Sequence, residues 1–121
     1  MKIDFNNERP IYIQLVESIK LEIISGKLNP GDKLPSVREY AITTRVNPNT
    51  MQKALSELEE AKLIYTERTN GKFVTSNLNI IEHEKEKYIE EKVNNFLEDL
   101  KELGMNEKEM IDYINRRNKW I

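Results

Sequence analysis

The sequence predicts a mainly α-helical chain with one small β-hairpin, followed by a helical segment too short to close a core of its own. Three observations predict it. Two helix starts, Ser36-Val37-Arg38-Glu39 and Asn47-Pro48-Asn49, lie close together, with about three residues of turn between the helices they open. An Asn70-Gly71 pair stands between two short β-prone runs directly after the second helix. Beyond it, apolar residues recur at helical spacing from about Ile80 onward.

The bulk numbers suit this outline. The chain has 121 residues, 33% of them charged and 38% in the hydrophobic set, which fits one small domain with an appendage. No apolar run approaches the ~20 residues of a membrane span. The opening MKIDFNNERPIY has no apolar core of a secretion signal. Without cysteine, disulfides and thiolate metal sites are excluded. Together these features predict a cytoplasmic protein with no membrane partner. Net charge is −2, yet residues 1–76 carry 11 Lys/Arg against 10 Asp/Glu, and residues 77–121 carry 8 against 11. Any basic surface must therefore come from placement rather than from total charge.

The first helix is expected from about Pro10 to Ser25. Tyr12, Leu15, Val16, Ile19 and Ile23 form its apolar stripe, and Gly26 suits the residue just past its end. The segment LNPGDKLPS then turns the chain into the Ser36–Glu39 capping box, where serine and glutamate each satisfy a free backbone N–H of the first turn. That box opens a short helix, Val37 to about Thr44, with Val37, Tyr40 and Ala41 inward. The next helix start pairs a good cap, Asn47, with Pro48 at the first helical position, where a missing N–H costs nothing. The residue before a proline is also pushed to the extended backbone that a cap needs. The helix runs to about Ala61, with Met51, Ala54, Leu55 and Leu58 on its buried stripe.

Asn49, Gln52, Lys53 and Ser56 repeat that spacing on the opposite face, and Thr50 flanks them. Asparagine and glutamine can bond adenine edges, and lysine can reach guanine or phosphate. A helix N-terminus adds free N–H groups that suit a phosphate. Taken alone, this face fits a solvated surface better than a base-reading one. The pair of helices changes the balance, because helix, tight turn and capped second helix make a helix-turn-helix. Arg38 on its first helix and Arg45 in its turn then lie where DNA phosphates or groove edges come close. The Asn70-Gly71 pair predicts a hairpin with a type I′ turn, which requires positive φ at both central residues. Such a hairpin is a wing, with Arg68 and Lys72 flanking its tip.

The runs PIYIQLVESIKLEIISGKLNPGDKLPSVREYA, VNPNTMQKALSELEEAKLI and GKFV closely resemble the GntR family of bacterial transcription regulators, over roughly residues 9–76. The short helical tail and the NPNT start of the second motif helix resemble its YtrA subfamily. The resemblance implies a winged helix-turn-helix that binds double-stranded operator DNA as a homodimer, usually as a repressor. It carries the DNA-contacting roles onto Arg38, onto Asn49, Thr50 and Gln52, and onto the wing tip at Asn70, Gly71 and Lys72. Ser36, Arg45, Lys53 and Arg68 complete the candidate DNA-facing set. Two departures stand out. Where a glycine often ends the recognition helix the chain reads Ala61-Lys62, which suggests a different exit geometry. Where a glycine often sits in the turn it has Arg45, either a further phosphate contact or a solvated turn residue.

Residues 1–76 are thus expected to form the DNA-binding domain and residues 77–121 a dimerisation segment. In the latter, Ile89, Val93, Phe96, Leu97, Leu100 and Leu103 line one face of a helix from about Ile80 to Leu103. Gly104 ends it, Asn106 and Glu109 recap the chain, and Met110, Ile111 and Ile114 continue on a second helix. About 40 residues cannot close a core alone, and an uncovered stripe would be a sticky patch. A second copy of the chain is the economical cover.

Catalysis has little support. His83 is the only histidine and sits among charges, and the glutamates from Glu82 to Glu91 are dispersed along an exposed helix face. No phosphate loop or nucleophile elbow is present. No cofactor or metal is expected. Two other classes stay open: a protein-interaction module on a winged fold, and a sensor whose small-molecule effector would need a pocket at a dimer interface.

Overall fold

The computed structural model describes residues 3–117. Five helices and one hairpin follow in the order α1 (Ile11–Ile24), α2 (Val37–Thr44), α3 (Pro48–Glu60), β1 (Ile64–Glu67), β2 (Gly71–Val74), α4 (Leu78–Glu102) and α5 (Glu107–Arg116). The chain divides into two compact units between Lys85 and Glu86. This is a mainly α fold with a winged helix-turn-helix, as the sequence predicts.

The first unit has one core. The stripes of α1 and α3 meet, α2 packs on α3, and the hairpin closes the remaining side. Leu15, Ile19, Met51, Ala54, Leu55, Leu58, Leu63 and Val74 are fully buried there, joined by Tyr40 and Ala41 of α2. The beginning of α4 belongs to the same core. Its start lies two residues before the expected Ile80, because the Asn77 side chain accepts the Asn79 N–H at 3.0 Å and so caps Leu78 onward. Ile81 is buried, and Glu84 pairs with Lys20 of α1 at 3.5 Å. Glu84 thereby leaves the exposed face on which the sequence placed it.

Both helix departures noted in the sequence resolve into one motif. At the end of α3, the N–H of Leu63 donates to the carbonyl of Leu58 at 3.0 Å and that of Lys62 to Glu59 at 2.9 Å. At the end of α2, Val46 donates to Ala41 at 3.0 Å and Arg45 to Ile42 at 3.3 Å. These are Schellman caps, whose penultimate donor must take left-handed backbone. Lys62 (φ 64°) and Arg45 (φ 58°) take it without being glycine. The expected different exit geometry is therefore absent. Lys62 adopts the glycine-like conformation because the cap bonds and the buried Leu58 and Leu63 hold it there. A cation at either helix end also favours the local dipole.

In the wing, Ile64 pairs with Val74, Tyr65 with Phe73, Thr66 with Lys72, and Glu67 with Gly71. The connection is the three-residue loop Arg68-Thr69-Asn70, closed by the Asn70 N–H donating to the Glu67 carbonyl at 3.2 Å. Only Gly71 (φ 104°) has positive φ, so the turn is not the expected type I′. The ladder pairs Gly71 itself with Glu67, which takes the glycine out of the turn centre. A further segment runs along β2. Leu34 N–H donates to Lys72 O at 2.8 Å, Val74 N–H to Asp32 O at 2.8 Å, and Gly31 N–H to Val74 O at 3.0 Å.

In the second unit, the last turn of α4 ends on Gly104 (φ 84°), with Met105 N–H donating to Leu100 O at 3.2 Å. Asn106 and Glu109 then form a reciprocal capping box that starts α5. Met110 is buried. An apolar groove of about 700 Å³ is lined by Phe96, Leu100, Leu103, Met105, Met110, Tyr113 and Ile114, with Arg117 beside them.

Candidate nucleic-acid interface

The cap that opens α3 sets its register. The Asn47 side chain accepts the Asn49 N–H at 2.8 Å, and Pro48 follows as the first helical residue. With Met51, Ala54, Leu55 and Leu58 buried, helical periodicity turns Asn49, Gln52, Lys53 and Ser56 outward, and all four are exposed. Thr50 is half-buried at the edge of that face. Gln52 Nε2 donates to Ser56 Oγ at 3.1 Å, one turn on, which orients its amide along the helix surface. Lys53 Nζ lies 3.8 Å from the centre of the Tyr12 ring. A ring face attracts an ammonium without supplying a counter-charge.

The capping box at the start of α2 is complete. Ser36 Oγ accepts the Glu39 N–H at 3.1 Å, and the Glu39 carboxylate accepts the Ser36 N–H at 3.1 Å. The hydrogen bond from the Ser36 N–H, aided by the Ser36 hydroxyl, holds the Glu39 carboxyl below the usual carboxylate range. Ser36 therefore serves the helix first. The box leaves Arg38 exposed on the first turn, and the Schellman cap leaves Arg45 exposed in the turn between α2 and α3.

At the wing, Arg68, Asn70 and Gly71 are exposed, and Asn70 Nδ2 donates to the Glu67 carboxylate at 3.1 Å. Lys72 differs. Its ammonium donates to Thr66 Oγ1 at 2.9 Å and lies 3.6 Å from the carboxylate of Glu59, and its side chain is only 15% exposed. Thr66 in turn donates to Glu59. Lys33, which no sequence motif marks, also lies at the wing. It bridges to Phe73 of β2, is exposed, and its Cε lies 3.4 Å from where a Cβ on Gly71 would stand. Asp32-Lys33-Leu34 is too short a stretch for alternation to have marked it as extended.

The tail residues share a different property. Ile89, Val93, Phe96 and Ile114 are each about half exposed (47–50%), Leu103 more so at 76%, and Leu97 and Leu100 are partly covered. His83 is exposed, and no group of three or more metal-ligating side chains occurs among the described residues. None of the described helices is long and apolar enough to cross a membrane.

A capped second helix with a polar outer face, a preceding short helix and turn that expose arginines, and a hairpin beside them define a winged helix-turn-helix DNA-binding protein. Comparison with known proteins agrees. Residues 11–74 match the family described as bacterial regulatory proteins, gntR family. The chain is 40% identical over 114 residues to the uncharacterized HTH-type transcriptional regulator YhcF of Bacillus subtilis, covering 94% of each. It is 35% identical over 121 residues to the HTH-type transcriptional repressor YtrA of the same organism, covering 100% of this chain and 88% of that one. Among solved structures, a GntR family transcriptional regulator from Listeria monocytogenes superposes with a TM-score of 0.85 at 39% identity, over 93% of this chain and 98% of that chain. The DNA-binding domain of AraR, solved in complex with an operator, superposes with a TM-score of 0.57 at 28% identity, over 62% of this chain and 95% of that chain. The chain belongs to the GntR family and is a transcriptional regulator with a GntR-type DNA-binding domain.

Proposed function

We propose that this regulator is a repressor that binds a palindromic operator as a homodimer. Residues 1–76 read the DNA and residues 77–121 join two copies. The observation that carries the dimer is the row of half-exposed Ile89, Val93 and Phe96 on α4, continued by the groove between the end of α4 and α5. A contiguous apolar surface of this kind is unstable in water and is covered by association. A second copy offers an identical stripe, and the resulting two-fold interface matches the symmetry of a palindrome.

In this reading α3 enters the major groove, with Asn49, Thr50 and Gln52 addressing base edges. Arg38 reaches a base or phosphate from the start of α2, and Arg45 takes a phosphate from the turn. Arg68, Asn70 and Gly71 follow the adjacent backbone from the wing. The relative named a repressor and the AraR complex with an operator support repression and operator binding. The test joins light scattering with selection of bound duplexes from a random pool. The expected result is a dimer mass and a palindrome whose half-sites lie about one helical turn apart, ~34–36 Å, or a multiple of it. A monomer that selects a single asymmetric site would overturn the proposal.

A further inference from the structure

We propose that Lys33, from the loop before α2, is a DNA-backbone contact of the wing, and that Lys72 instead holds the wing against the recognition helix. The two lysines lie on neighbouring extended segments but meet opposite surroundings. Lys72 stands across from Thr66 in the hairpin ladder, and its ammonium is enclosed by the Thr66 hydroxyl and the Glu59 carboxylate. Thr66 accepts from the lysine and donates to the glutamate, so the three groups form a closed chain from β2 through β1 to α3. A cation so placed has a carboxylate as counterion, and moving it to a phosphate would leave Glu59 unpaired. It therefore releases little of the DNA counterion atmosphere on binding.

Lys33 is placed by backbone bonds rather than by charge. The bonds from Leu34 to Lys72 and from Val74 to Asp32 lay its segment along β2, where Lys33 forms an antiparallel bridge with Phe73. Its side chain then runs past Gly71 at the wing, with Cε 3.4 Å from where a Cβ on that glycine would stand. None of the four ion pairs among the described residues includes Lys33. An exposed ammonium beside the wing, in no close ion pair and with Glu39 attracting it only weakly from a distance, has the charge and reach for a phosphate. Gly71 itself takes the positive φ that follows the loop.

Counterion release distinguishes the two roles. Each phosphate neutralised by the protein contributes about −0.9 to the slope of log K against log salt. The experiment titrates the full-length protein and its variants with sonicated genomic duplex DNA over a range of salt, so that it does not depend on knowing the operator. Lys33→Met is expected to weaken binding and to make the slope shallower by about one contact. Lys72→Met is expected to keep the wild-type slope and to lower the melting temperature. Glu59→Gln, which frees Lys72 while keeping the side-chain shape, is expected to steepen the slope by up to about one contact. A wild-type slope for Lys33→Met, or a loss of about one contact for Lys72→Met, would overturn the assignment. If Lys72→Met does not fold, a slope for Glu59→Gln that is not steeper than wild type would overturn it in its place. The assignment rests on DNA binding by the winged unit but on neither the palindrome nor the dimer. A monomeric protein without a palindrome leaves its test intact.

Discussion

The apolar stripes of α1 and α3 disappear inside the first unit, whereas that of α4 beyond Lys85 stands half in solvent. Met51, Ala54, Leu55 and Leu58 are fully buried, yet Ile89, Val93 and Phe96, at the same helical spacing, are each about half exposed. Periodicity specifies that a face is apolar. It does not specify what covers it. In the first unit the cover is supplied by the same chain, since three helices and a hairpin surround one core. In the second unit, two helices leave one side of each open. The same sequence signal therefore marks a closed core in one region and an uncovered apolar face in the other.

Breaking the two stripes should separate these roles. The largest effect is expected from Phe96→Asp with Leu100→Asp, which places two charges in the exposed seam. Operator affinity should fall by up to ~10²–10⁴, the gain that linked half-sites provide, while the thermal transition of the first unit stays in place. Fluorescence anisotropy on a full palindrome beside light scattering reads both, and a dimer of undiminished affinity would show that the seam lies elsewhere. In the first unit, Leu55→Ala should instead destabilise the fold by about 2–5 kcal/mol, the range for emptying a closed core site. Denaturant melts measure this, and a loss below about 1 kcal/mol would mean that the core can collapse around the gap.

The closed core also holds a titratable group. Tyr40 is only 4% exposed, and burial, with a smaller contribution from Glu22, pushes its phenol from 10.0 up to about 12. The unfolded phenol ionises first, so between these values the folded state binds more protons and stability falls as pH rises. The contribution is fully present below pH 10, and about 2 kcal/mol is lost by pH 12. Tyr40→Phe should flatten this alkaline decline in melts at successive pH values.

Smaller effects sharpen the helix ends. Asn47→Ala should cost about 0.5–2 kcal/mol through the lost cap. Asn49→Ala should leave stability nearly unchanged and weaken DNA binding. Equal melts for the two variants would contradict the cap geometry. The smallest contrast compares one slot in the two units. Gly104, with open space around its missing Cβ, and Lys62 both take left-handed backbone after a helix. Gly104→Ala should cost about 1 kcal/mol, while Lys62→Gly should be neutral or stabilising by no more than about 1 kcal/mol. Calorimetric melts in which Lys62→Gly is the more damaging of the two would show that the lysine side chain stabilises its cap.

Much of the candidate interface was legible because it depends on bonds between near neighbours. The capping boxes at Ser36 and Asn106 and the cap at Asn47 connect residues two or three apart, and each appears as read. The outward turn of Asn49, Gln52 and Lys53 follows from helical geometry once that start is known. The exposure of Arg38 and Arg45 follows from the same ends. These features were determined by the sequence alone, since local hydrogen bonds and side-chain periodicity need no information from distant parts of the chain.

Tertiary structure decided the rest. Lys72 and Lys33 are both lysines near β-prone segments, and only the approach of Glu59 from α3 ties one of them down while strand pairing along β2 delivers the other to the wing tip. Lys62 and Arg45 occupy glycine-like backbone because buried Leu58, Leu63 and Ala41 hold the chain around them. The hairpin turn shifted from the expected Asn70-Gly71 centre to Arg68-Thr69-Asn70, since the strand register pairs Gly71 with Glu67. In each case the deciding energy comes from groups far apart in sequence, whose meeting is a property of the packed core and not of any local pattern.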